Sequence, residues 1–191
     1  MSKTGLSVMM NSTQWFGLTD KMKTLIIHPT DITTKFLNVI YSGKDWTVIT
    51  ENVSKSYLKS QIREHDRIVM LGHGTEKGLI GFGRFIIDSS WVWLLRTKEC
   101  VCIWCNADKF VEEYGLRGFY TGMIISEVEE AEMYSLWMST MKNIEDSNIL
   151  FSESVKNSID STSMLEDMKK SYHSDDNPII RFNQDNLYYK L

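Results

Sequence analysis

The sequence predicts an α/β domain, a three-layer sandwich built on a mostly parallel sheet of about five to six strands. Three observations predict it. Short runs of branched apolar residues alternate with segments whose apolar residues recur at helical spacing. The strand-like runs around Leu25-Ile26-Ile27, Ile68-Val69-Met70-Leu71 and Val101-Cys102-Ile103-Trp104 are nearly continuous in apolar residues, as strands covered on both faces are. The chain has 191 residues, 42% of them hydrophobic, and a chain of that length buries roughly 70% of its unfolded surface without help from disulfides or metal.

Each element can be justified in turn. Lys23-Thr24-Leu25-Ile26-Ile27-His28, stopped by Pro29, reads as the first strand. Thr30 or Asp31 is placed to cap a helix over residues 32–41, with Phe36, Leu37, Val39 and Ile40 as its apolar stripe and Ser42-Gly43 as its end. Residues 45–50 read as a second strand, rich in β-branched side chains. Ser54 caps a helix that runs to His65, read as its exposed end. Residues 67–71 form a third strand. Five glycines then fall between Gly72 and Gly83, which predicts a loop with a small hairpin. A helix is expected over residues 90–96 and a fourth strand over 99–104. A fifth strand is expected at Gly122-Met123-Ile124-Ile125. One helix is expected from Glu127 to about residue 143, two more over 149–159 and 164–172, and a terminal hairpin from residues 179–182 and 187–189. The chain reads as a single domain over 1–191. Residues 1–20 form an N-terminal extension with Trp15 and Phe16 as anchors, and residues 146–191 form a helical tail and terminal hairpin.

Composition bounds the function. Lys plus Arg is 21 and Asp plus Glu is 25, a formal net charge of −4, which argues against a nucleic-acid surface. No stretch is apolar for long enough to span a membrane, and the first residues lack a signal-peptide run. The three cysteines lie between Cys100 and Cys105, unlike a secreted disulfide framework. The expected setting is the reducing cytoplasm. Cys102-Ile103-Trp104-Cys105 is a C-x-x-C, but no second pair exists to complete a zinc site, and no metal or cofactor is expected. The glycine cluster contains no Gly-Lys-Ser or Gly-Lys-Thr of a phosphate loop.

Two strand ends carry candidate chemistry. The third strand ends in Leu71-Gly72-His73-Gly74 and the fourth in Trp104-Cys105-Asn106. In an open parallel sheet, ligands bind at the carboxyl ends of strands. Neighbouring strands would bring His73 and Cys105 together there, and a cysteine nucleophile works beside such an imidazole. His28, before Pro29, could line the same cleft.

These motifs resemble the caspase–haemoglobinase fold of cysteine peptidases, in its CHAT-like branch. A hydrophobic strand ends in His-Gly, and a second ends in Cys followed by Asn. Downstream, Gly115-Leu116, Phe119 and Gly122-Met123-Ile124-Ile125-Ser126 match the branch's run into a strand and a Ser. The resemblance covers roughly residues 22–145. Where the family carries a small residue before its cysteine, this chain has Trp104. The resemblance implies a caspase-like fold and hydrolysis of a protein or peptide substrate through a thioester. Cys105 would be nucleophile, His73 acid and base, and the Gly74 N–H an oxyanion donor. Ser126, Glu127, Glu129 and Glu130 would lie beside the specificity pocket, with acids favouring Arg or Lys before the scissile bond. A regulatory protein partner, with neither nucleic acid nor membrane, completes that expectation. Two other readings stay open on sequence alone: a non-catalytic caspase-like interaction module, and a nucleotide- or small-molecule-binding α/β protein.

Overall fold

The computed structural model describes residues 22–191; the expected anchors Trp15 and Phe16 lie outside them. The chain opens with β1 (Thr24–Ile27), a 3-10 helix (Lys35–Tyr41), β2 (Thr47–Ile49), α1 (Lys55–Glu64) and β3 (Arg67–Leu71). It continues with β4 (Gly74–Thr75), β5 (Gly78–Gly81) and β6 (Arg84–Ile87). A short 3-10 turn (Ser89–Trp91) then leads into α2 (Val92–Leu95) and β7 (Glu99–Ile103). After these come α3 (Ala107–Tyr114), β8 (Gly118–Thr121), α4 (Val128–Met133), α5 (Met141–Ser158), α6 (Met164–Ser171), α7 (Pro178–Asp185) and β9 (Leu187–Lys190).

Six strands form the main sheet in the order β2-β1-β3-β7-β8-β9, all parallel except β9, which runs antiparallel to β8. Helices cover both faces, so the protein is a three-layer α/β sandwich. The period of two along each strand sorts the core. Leu25, Ile27, Ile68, Met70, Cys100 and Cys102 face α1, α2 and α3. Ile26, Val69, Leu71, Val101 and Ile103 face the first 3-10 helix and α5–α7. Strands buried on both faces must be apolar throughout, which is why these runs were legible as strands.

Several boundaries differ from expectation, each for a physical reason. The fifth strand is β8 at Gly118–Thr121, and residues 122–125 form a connection instead. Gly118 has φ +117 and pairs with Cys100, and a Cβ on it would collide with the Cys100 carbonyl. Ile125 is buried without a strand partner because the Asn183 side chain stands in for one. Asn183 Oδ1 accepts from Ile125 N at 2.7 Å, and Asn183 Nδ2 donates to Ile125 O at 2.9 Å.

The helix expected over 127–143 is two helices, α4 and α5. Ser135 adopts φ +61, and the Thr140–Asn143 capping box starts a new helix that continues unbroken through Ser158. Residues 179–182 lie in α7, because Asn177 accepts from the N–H groups of Ile179 and Ile180 and Pro178 occupies the first turn. β9 therefore pairs with β8, and the expected terminal hairpin does not form. The glycine-rich stretch is a three-stranded antiparallel sheet, β4–β5–β6.

Two histidines sit deeper than expected. His65 is buried, with Nε2 2.8 Å from Thr47 Oγ1 and Nδ1 2.6 Å from Gln61 O, tying α1 to β2. His28 is fully buried and does not line the cleft; its Nδ1 lies 3.1 Å from the Tyr41 hydroxyl. Burial pushes its pKa down to about 4, against the weaker upward pulls of Asp31 and the Thr34 backbone. The unfolded chain takes up this proton near pH 6.5. Between these values the unfolded state binds more protons, so stability is full above pH 6.5 and falls as the pH drops toward 4. The expected loss is about 3 kcal/mol. Urea melts at pH 4, 5, 6 and 7 should show that slope, and His28→Gln should flatten it.

Candidate active site at the carboxyl edge of the sheet

The strand order changes direction at β1: the chain leaves β1 for β2 on one side and returns to β3 on the other. Such a switch point opens a crevice at the carboxyl ends of the strands. Four loops meet there. The β1 end supplies Asp31, Thr33 and Thr34, the β3 end supplies Gly72 and His73, the β7 end supplies Cys105, and the β8 connection supplies Ser126 and Glu127.

His73 and Cys105 line one narrow cleft together with Leu37, Ile103, Ile124 and Phe151. The β3–β7 register puts them there. Leu71 pairs with Ile103, and Gly72 N donates to Ile103 O at 3.1 Å, so both chains leave the sheet at the same level. Trp104 packs into the core on the α3 side, edge-on to Phe110, and its indole N–H donates to Thr75 O at 3.0 Å. The indole thereby anchors β4 to the end of β7. Gly74 is the residue this anchoring requires, since a Cβ there would overlap the Trp104 ring and the Gly78 carbonyl.

The His73 imidazole is held by the β1 loop. Its Nε2 lies 2.7 Å from Thr33 Oγ1 and 3.1 Å from Asp31 Oδ2. Thr33 Oγ1 has one hydrogen and donates it to Asp31 Oδ1 at 2.9 Å. The hydroxyl must therefore accept from His73, so Nε2 carries a proton, and whenever the ring is neutral its lone pair lies on Nδ1. Asp31 also accepts the backbone N–H groups of Thr33 and Thr34, both at 3.0 Å. Its partial burial raises its pKa. The Thr34 N–H, the Thr33 hydroxyl and His73 outweigh that and hold the carboxyl below its ordinary value. Asp31 was read from sequence as a helix cap. The signal for its larger role was its place just after a strand end, two and three residues before threonines that close an Asx turn.

Cys105 faces a different set of groups. Its Sγ lies 3.5 Å from Ile124 O and 3.9 Å from Glu130 Oε1. Among the described residues no hydrogen bond joins it to His73. Burial first, then the Glu130 charge, pushes the thiol up to about 11. Glu130 is fixed by α4: its Oε2 accepts from Ser126 N at 2.7 Å, Ser126 Oγ at 3.2 Å and Glu127 N at 3.2 Å. Glu127 caps α4, and its own carboxyl is raised by burial and by Glu130, with His73 pulling the other way. Glu129 is exposed on the same turn. Sequence reasoning placed Glu130 near the pocket but missed that it meets the thiol. The E-x-x-E spacing of Glu127 and Glu130 was the available clue, as a capping box turns the second acid back toward the strand end. Among the described residues no group of three His, Cys, Asp or Glu side chains could hold a metal ion.

Burial stays in place in Glu130→Gln, but the charge's share of the rise should go, since Gln retains the cap but not the charge. Alkylation of Cys105 by iodoacetamide at pH 8 should speed up roughly threefold for each unit by which the pKa falls, the gain in thiolate being partly offset by its lower nucleophilicity. Cys100, raised to about 12, and Cys102, raised well above its ordinary value, are buried and should stay unmodified in the folded protein. Peptide mapping of the alkylated protein checks both outcomes.

No family model, curated protein or solved structure matches this chain, so the chemistry of the site is read from its own geometry.

Proposed function

We propose that the chain is a cysteine endopeptidase of the caspase–haemoglobinase type, CHAT-like, cleaving after a basic residue. The observation that carries this reading is the shared cleft of Cys105 and His73, with Asp31 and Thr33 fixing the imidazole so that Nδ1 is free to act as base. In the proposed reaction the thiol turns away from Ile124 O and gives its proton to His73. The sulfur attacks the scissile carbonyl carbon, with the Gly74 N–H as oxyanion donor. The C–N bond breaks, His73 returns the proton to the leaving amine, and a thioester remains. Water, deprotonated by His73, then hydrolyses the thioester and restores the thiol.

The acids beside the thiol give the basic preference a physical role. A substrate guanidinium or ammonium seated among Ser126, Glu127 and Glu130 offsets the carboxylates' share of the rise that burial and they impose on the Cys105 thiol. Activation then accompanies binding. The three free thiols suit a reducing compartment, and the proposed location is the cytoplasm. Among the described residues no helix is long and apolar enough to cross a membrane.

One observation favours a second reading. The resting thiol is paired with Ile124 O and Glu130 rather than with His73, as a non-catalytic interaction module could leave it.

Fluorogenic peptides with Arg, Lys, Asp or Leu before the reporter separate the two. The peptidase should cleave after Arg and Lys, lose activity in Cys105→Ala, and lose about 10²-fold or more in kcat in His73→Ala. Asp31→Asn should lower kcat with little change in KM. An Arg acyloxymethyl ketone should label wild type but not Cys105→Ala. Equal labelling of the two would remove Cys105 as nucleophile. Turnover with Asp or Leu favoured would remove the basic preference. Peptide binding without turnover would establish the interaction module.

A further inference from the structure

The segment between α4 and α5 carries an apolar surface that the fold leaves uncovered. Met133 is 80% exposed, Trp137 70%, Met138 91% and Met141 61%. Large apolar side chains scattered singly are ordinary, but four within nine residues, including a Trp and three Met, form a patch of the kind that marks interaction sites. The patch is held in shape from beneath. Leu136 packs with the cluster of Ile125, Ala131, Ile144 and Ile179. Leu136 N donates to Ala131 O at 2.9 Å, Ser139 N donates to Leu136 O at 2.9 Å, and Tyr134 packs edge-on against Phe182. Fixing Leu136 inward turns Trp137 and Met138 outward. The chain thus orders this loop while presenting the residue types that dominate interface energetics.

Charge selects the occupant. Glu129 and Glu132 on α4 and Glu145 on α5 are exposed around the patch, and none has an ion-pair partner among the described residues. Between Glu129 and Glu145 the sequence holds one cation, Lys142, which lies 2.7 Å from Asp146. An anionic lipid surface would be repelled by such a rim. A two-fold contact with a second copy would set the same acids against each other, in a chain already at −4.

We propose that Met133, Trp137, Met138 and Met141, with their acidic rim, form a docking surface for a basic, amphipathic segment of another protein. Its apolar face would cover Trp137 and the methionines, and its Lys or Arg residues would meet Glu132 and Glu145. The proposal does not depend on the chemistry of Cys105.

The test uses the full chain and two fluorescein-labelled 18-residue peptides of helical pattern, one of Leu and Lys, the other of Leu and Glu. Fluorescence anisotropy should show saturable binding of the Leu/Lys peptide, at least tenfold tighter than the Leu/Glu peptide and weakened by salt. The Trp137→Ser/Met138→Ser double variant should lose at least tenfold, as should Glu132→Lys/Glu145→Lys, with circular dichroism confirming that both are folded. Binding is measured in a Cys105→Ala background, where the Lys-containing peptide cannot be cleaved, which keeps this outcome separate from the peptidase reading. Absence of saturable binding, or unchanged binding by either double variant, would overturn the proposal. So would sedimentation with 30% phosphatidylserine vesicles that Trp137→Ser/Met138→Ser abolishes, because the patch would then be a membrane surface. Concentration-dependent dimerisation lost in the same variant would likewise reassign it to a second copy.

Discussion

The pairing of β3 with β7 is the constraint on which the site depends. Five consecutive residue pairs, from Arg67 with Glu99 to Leu71 with Ile103, lock the two strands in parallel register. Both are covered on both faces, so a slip of one residue would exchange every side chain between the two core layers. Ile68, Met70, Cys100 and Cys102 would lose their places against α1–α3, and Val69, Leu71, Val101 and Ile103 would lose theirs against α5–α7. Such a slip is prohibitively costly, so the level at which the two chains leave the sheet is fixed. Alternation then decides direction. Trp104 continues the face of Cys100 and Cys102, while Cys105 is delivered to the opposite side, above Ile103 and Phe151. A salt-bridged anchor closes the other end of the same pair: the nearly buried Arg67 reaches Glu99 at 3.0 Å and Asp160 at 2.8 Å, joining β3, β7 and the end of α5.

The electrostatics of the cleft follow from what the loops place around it. Two environments are held apart by a few residues. On the β1 side Asp31 is saturated with donors and stays readily ionised, so it orients His73. On the α4 side Glu127 and Glu130 crowd a partly buried thiol and raise both their neighbour and, in Glu127, one of themselves. A charged group brought into that side changes all three together. A cation is favoured there on simple Coulomb grounds, and an anion is opposed.

Much of this was legible in the sequence wherever one physical signal dominated. The strands β1, β3 and β7 are nearly continuous in apolar residues, a pattern few other elements share, and their ends led to His73 and Cys105, which line one cleft. Ser54 announced α1 because a serine before an amphipathic run has little else to do. The failures share a cause: tertiary partners substituted for local signals. Residues 122–125 are as apolar as a strand, yet Asn183, 58 residues away, satisfies the Ile125 backbone. Leu187–Lys190 looked like half of a hairpin, but its partner is β8 and not the segment just before it. Asp31 looked like a cap because an Asx turn and a helix cap use the same chemistry. Only the fold brings His73, 40 residues on, to its neighbour Thr33.

The break between α4 and α5 shows how packing can override periodicity. A single helix over residues 127–143 would keep the apolar residues of this stretch on one stripe facing the sheet. The observed chain gives that up. It spends Ser135 in a left-handed conformation and needs a second capping box at Thr140. In return it gains two placements one straight helix could not provide. α4 is turned so that its first-turn acid, Glu130, meets Cys105, and Leu136 reaches the small cluster around Ile125 and Ile144. Trp137 and Met138 are left outside as a consequence. At about 1.5 Å per residue, the six residues of α4 span roughly 9 Å. The acid that touches the thiol and the methionine at the edge of the apolar surface therefore belong to one short helix.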